Sequence, residues 1–94
     1  MSEQKTQKKI IDWLSSKGFY VVKTITCNRK GVPDILACAP NGQFIAIEVK
    51  YGSNKASKLQ DYNVDLINKN NGLAFIAYDL ATVILKVKHL IEGE

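Results

Sequence analysis

The sequence predicts an α/β fold, a mixed β-sheet flanked by helices in the order α-β-β-β-α-β-α. Three observations predict it. Apolar residues recur at helical spacing in the first segment and again after residue 57. Between them lie three short runs rich in β-branched and aromatic residues, separated by polar or turn-forming stretches. A fourth apolar run, Leu73–Tyr78, follows the second helical segment. At 94 residues the chain is expected to form one domain over residues 1–94, near the lower end of what folds alone. Its hydrophobic content of 46% is too high for disorder and allows a small core. Dimerisation would bury more surface.

The elements follow in order. Residues 3–17 set Ile10, Ile11 and Leu14 on one stripe, which continues backwards through Gln7 to Glu3. Gly18 after Lys17 is a favourable helix stop. Phe19 to Ile25 reads as a strand and the basic stretch TCNRKGV as a loop. Pro33 opens the next strand, where a missing N–H is tolerated, and that strand runs to Ala39. In the turn APNGQ, Pro40 and Asn41 suit the two corners of a type I turn and Gly42 the left-handed position after them. This is a three-residue hairpin loop with a bulge. It sets Ala39 opposite Gln43 and, counting back along both strands, Asp34 opposite Glu48.

Strand Phe44–Lys50 alternates Ile45, Ile47 and Val49 on a core face with Phe44, Ala46, Glu48 and Lys50 on the other. Ser57 with Gln60 three residues later is a capping box that opens the second helix. Leu59, Tyr62, Leu66 and Ile67 are expected to form its apolar stripe, and Asn71-Gly72 to end it. Asp79 could cap a last helix with Leu80, Val83, Ile84 and Val87 inward. The β-branched residues there leave a strand as the alternative.

Several function classes recede. No stretch approaches the roughly 20 apolar residues of a membrane span. The opening MSEQKTQKK is polar, so no apolar leader segment is expected and the protein is expected in the cytosol. Cys27 and Cys38 have no CxxC spacing, and with His89 they offer too few ligands for zinc. Cys38, in an apolar run, is expected in the core, and Cys27, in a polar loop, at the surface. His89 and the helix lysines Lys5, Lys8 and Lys9 read as surface groups. The net charge of +4 suits a polyanionic partner without identifying one.

The hairpin register brings Asp34 and Glu48 to one face, with Cβ atoms roughly 4.5–5.5 Å apart. Two carboxylates that close repel. A divalent cation is the natural partner, since Mg²⁺ takes oxygen ligands and often only one or two protein carboxylates. Lys50, two residues past Glu48, lies on the same face, where its ammonium could neutralise charge on a phosphate or help orient a water. Taken singly, each of these residues reads more readily as a surface charge. Together, an ExK ending an apolar strand and matched to an Asp across a hairpin point to phosphodiester chemistry.

Gly31-Val32-Pro33-Asp34, then Glu48-Val49-Lys50 and then Gln60, resemble the PD-(D/E)xK nuclease superfamily. Within it the chain is similar to the stand-alone VRR-NUC group, often carried by phages, and to archaeal Holliday junction resolvases. The resemblance covers nearly the whole chain and implies a restriction-endonuclease-like core. It implies Mg²⁺ or Mn²⁺ held by Asp34, Glu48 and the Val49 carbonyl, with Lys50 assisting the nucleophilic water and Gln60 near the site. For Gln60 the capping-box role stands beside this one. The family often supplies an acid from the first helix, for which Glu3 is the candidate, with Gln7 behind it. Arg29, Lys30, Lys55 and Lys58 are candidates for DNA phosphate contacts.

The resulting expectation is a metal-dependent endonuclease, selective for branched or Holliday-junction-like DNA, acting as a homodimer in the cytosol (the host's, if phage-encoded). The rivals are a restriction-type endonuclease, for which this length leaves little room for target recognition, and a DNA-binding module that has lost catalysis. The intact Asp34, Glu48 and Lys50 argue against the latter.

Overall fold

The computed structural model describes residues 2–91. Helix α1 (Glu3–Ser16) leads to strands β1 (Tyr20–Lys23), β2 (Ile35–Cys38) and β3 (Phe44–Val49), then to helix α2 (Lys58–Lys69), strand β4 (Leu73–Ala77) and helix α3 (Leu80–Val87). The order is the expected α-β-β-β-α-β-α, and the last segment is a helix. Asp79 caps it by accepting from the Thr82 amide at 2.8 Å, and Val83 and Val87 are buried.

The strands form one sheet in chain order, antiparallel from β1 to β3, with β4 parallel to β3. The hairpin between β2 and β3 forms as its residues dictate. Gly42 takes φ +90, its amide donates to the Ala39 carbonyl at 2.8 Å, and the Ala39 amide donates to Gln43 at 2.9 Å. The ladder therefore pairs Ile35 with Ile47, one step in from Asp34 and Glu48. One face of the sheet carries the core: Ile35, Ala37, Ile45, Ile47, Val49, Phe75 and Ala77 pack with Ile10 and Leu14 of α1 and Val83 and Val87 of α3. A parallel β4 requires a crossover from β3, and α2 makes it, lying over β3 and β4 on the opposite face.

Three expectations are corrected. The first two strands are shorter than their apolar runs. Residues 24 and 34 lie beyond the paired segments, although the Thr24 amide still donates to the Asp34 carbonyl at 2.9 Å. Cys38 is exposed. It pairs with Tyr20 and Phe44 on the face opposite the core, where α2 does not reach and both neighbours are also exposed. Finally, Leu59 and Tyr62 do not face inward: they are 45% and 57% exposed, and the buried residue of α2 is Asn63. The inner stripe runs through Gln60, Asn63, Val64 and Ile67, because the helix is oriented by its polar duties at the site as well as by hydrophobic burial.

Candidate active site

Asp34 stands where the chain enters β2, and two features fix it there. Pro33 before it is buried, and the Thr24 hydroxyl donates to the Pro33 carbonyl at 2.9 Å. Asp34 Oδ2 then accepts the Val49 amide at 2.8 Å, replacing the ladder bond that β2 no longer supplies at this level. Opposite it, at the end of β3, Glu48 is 1% exposed. Its Oε2 accepts from Gln60 Nε2 at 2.9 Å and from the Lys50 ammonium at 3.3 Å. Its Oε1 is buried with no partner among the described residues.

Gln60 performs two jobs at once. Its Oε1 accepts the Ser57 amide at 2.8 Å, while the Ser57 hydroxyl accepts the Gln60 amide at 3.1 Å, completing the capping box. Its Nε2 is left to hold Glu48. The first turn of α1 contributes Glu3. The helix is started by Ser2, whose hydroxyl accepts the Lys5 amide at 3.1 Å. Carboxylate oxygens of Glu3, Asp34 and Glu48 all lie within 4.8 Å of one another. Gln7, one turn on from Glu3, is buried and its Oε1 also lacks a partner among the described residues.

This arrangement is electrostatically unfavourable on its own. Among the described residues, the ammonium paired with these three carboxylates is that of Lys50, itself largely buried. The pKa of Glu48 is pushed up from 4.5 to about 7, first by burial and then by the charge of Asp34 and a hydrogen bond to it, with Lys50 pulling the other way. The donor set fits a small hard cation. Oxygens around one octahedral Mg²⁺ are about 3 to 4 Å apart, and the three carboxylates, with oxygens within 4.8 Å of one another, are near enough to share one. An orphaned Glu48 oxygen points to the same need.

The basic residues divide. Arg29 and Lys30 lie on the loop before Asp34, and that loop is tied to α2. Asn63 accepts from Arg29 Nε at 2.8 Å and donates to the Lys30 carbonyl at 3.0 Å. Lys55, in the loop before α2, and Lys58, its first residue, are exposed and make no bond to the acidic cluster among the described residues. Sequence reasoning missed Thr24 and Asn63. Asn63 had one available signal, its position three residues after Gln60, on the same helical face. Thr24 had none.

A model of the archaeal Holliday junction resolvase (Hjc) family matches residues 3–90. The chain belongs to that family. The resolvases are DNA endonucleases, and the matched span includes every residue of the cluster. Solved structures agree with the fold. One named "VRR_NUC domain" has 25% identity and TM-score 0.79, covering 93% of this chain and 95% of that one. Another, "VRR_NUC domain protein", has 19% identity and the same TM-score of 0.79, covering 98% and 89%. No curated protein matches significantly. Among the described residues no helix is long and apolar enough to cross a membrane.

Proposed function

We propose that this protein is a divalent-metal-dependent endodeoxyribonuclease of the PD-(D/E)xK type, one nuclease domain across the chain, acting as a homodimer on branched DNA. The observation that carries the reading is the convergence of Glu3, Asp34 and Glu48 beside Lys50, within a chain of the resolvase family. The three carboxylates would hold Mg²⁺ or Mn²⁺. The Val49 carbonyl is a fourth candidate, because N–H and C=O of one strand residue point to the same side and the Val49 N–H points at Asp34. A cation there would supply Lewis-acid activation of water and of a phosphoryl oxygen.

The chain's own groups account for the rest. Gln60 locks the Glu48 carboxylate in one rotamer. Lys50, adjacent to Glu48, offsets negative charge building on the phosphate and orients the attacking water. Arg29, Lys30, Lys55 and Lys58 contact backbone phosphates. The water oxygen attacks phosphorus in line and releases a proton to solvent, the bond to the 3′ oxygen breaks, and that oxygen takes up a proton from solvent. The products are a 5′-phosphate and a 3′-hydroxyl.

The test is cleavage of four-way, flap, linear duplex and single-stranded DNA with Mn²⁺, repeated in EDTA and with the Asp34→Asn variant. The expected result is cutting of the four-way substrate in preference to linear duplex, abolished by EDTA and absent in the variant. Cleavage that survives EDTA, or an Asp34→Asn variant as active as wild type, overturns the metal site. Equal rates on linear and four-way DNA overturn the substrate class.

A further inference from the structure

Asn63 is the one residue of α2 that the fold buries fully, and none of its bonds serves the hydrophobic core. Its Nδ2 donates to two carbonyls, Lys30 at 3.0 Å and Leu59 at 2.8 Å. Its Oδ1 accepts from Arg29 Nε at 2.8 Å. Both amide hydrogens are thus used, and the orientation of the amide is fixed. Reversed, it would set an oxygen against two carbonyl oxygens and an NH₂ against an N–H. The neighbouring backbone presses in as well. A Cβ on Gly31 would stand 2.8 Å from Asn63 Nδ2 and 2.7 Å from Leu59 Cγ. Residues 29–31 have no strand or helix of their own, so α2 is their template.

The consequence falls on Arg29. Its guanidinium is planar and rigid, so one bond through Nε fixes the plane of the whole fork. The residue is exposed, and its two Nη groups bond to nothing among the described residues. The pair of Nη donors matches two oxygens of one phosphate. We infer that Asn63 is a positioning residue that aims Arg29 at a DNA phosphate, so that the basic loop meets DNA preorganised. This rests on the nuclease reading above, which supplies the DNA. Asn63 lies outside the acidic cluster, and through it the loop acts by geometry as well as by charge.

The experiment is binding of fluorescent four-way DNA in EDTA, by anisotropy over a series of salt concentrations. Wild type is compared with Arg29→Ala, Arg29→Lys, Asn63→Ala and the combinations of Asn63→Ala with each Arg29 change. Melting curves check each fold. Each single variant is expected to weaken binding about three- to tenfold, and Arg29→Ala, which removes the charge, also to lower the salt slope by about one, the share of a single phosphate contact. Adding Asn63→Ala to either Arg29 variant is expected to change nothing further, because the two residues act as one unit. Arg29→Lys keeps the charge, changes an exposed side chain and leaves both Nδ2 bonds of Asn63 in place, so it decides the matter even where Asn63→Ala does not fold. An Arg29→Lys protein that binds as wild type, or an Asn63→Ala effect of equal size with arginine or lysine at position 29, overturns the inference. Wild type that binds no DNA overturns the nuclease reading and this inference with it. Tight wild-type binding with an unaffected Arg29→Lys overturns this inference alone.

Discussion

A carboxylate closed off from water can lower its energy by keeping a proton or by finding a cation. Glu48 has Lys50 at 3.3 Å, yet burial and Asp34 outweigh it and hold its pKa at about 7. The sign of the linkage follows. In the unfolded chain Glu48 ionises near 4.5, so between there and about 7 the folded state holds a proton that the unfolded state has released. The stability this gives is fully present below about 4.5 and is lost as pH rises through about 7. In EDTA, melting temperature is therefore expected to fall between about pH 5 and about pH 8, and Glu48→Gln to flatten the fall. A metal competes with the same proton, so the Mn²⁺-induced rise in melting temperature is expected to grow over that range. Asp34→Asn removes one cause of the raised pKa. At high pH in EDTA it is expected to be at least as stable as wild type, while gaining little from Mn²⁺. Equal metal-induced shifts in the two proteins would take Asp34 out of the site.

The loop carrying Arg29 and the helix α2 form one mechanical unit, and Gly31 is where they touch. Its φ is +75, and an added Cβ would meet Leu59 and Asn63 below 3.0 Å. Gly42 also has positive φ, +90, but nothing lies within 4 Å of its missing Cβ. Gly31→Ala and Gly42→Ala therefore share the backbone strain, about 1–3 kcal/mol, and differ in the clash. Urea unfolding is expected to show the larger loss for Gly31→Ala, and anisotropy to show weakened DNA binding for it alone. Equal losses would mean that the loop yields at no cost. This unit also marks how far the sequence could be read. Turn chemistry at Pro40-Asn41-Gly42 and the capping box at Ser57 are local, so the register, the placing of Glu48 beside Asp34 and the start of α2 were legible. Which face α2 turns inward was not. Hydropathy chose Leu59 and Tyr62, whereas the inner positions hold Gln60 and Asn63, polar residues whose partners lie 12 and up to 34 positions away in the chain. Cys38 was misplaced for a related reason. An apolar run shows that a strand is present, but not whether a helix covers both of its faces.

At the scale of the molecule, the sheet is covered unevenly. α1 and α3 close one face, but α2 lies over β3 and β4 only. Beside it Tyr20 is 74% exposed, Val22 41% and Phe44 44%, with Leu36 half-buried and Cys38 open between them. These five side chains are neighbours by register across β1, β2 and β3. None carries a charge, in a chain whose net charge of +4 would otherwise make copies repel. A contiguous uncharged patch on a small protein favours association, and a two-fold dimer would set the same patch against itself. Wild type is expected to sediment as a dimer at micromolar concentration. The double variant Val22→Glu with Phe44→Glu is expected to be monomeric, and to keep its Mn²⁺-induced rise in melting temperature because neither side chain lies in the core. The difference should also be visible in the products from a plasmid bearing an extruded cruciform. Two sites held together can cut both strands in one encounter and release linear DNA, whereas one site leaves a nicked circle. Linear product from wild type and nicked circles from the variant are the expected pair. A wild type that sediments as a monomer, or a variant that still dimerises, would remove this face from the assembly.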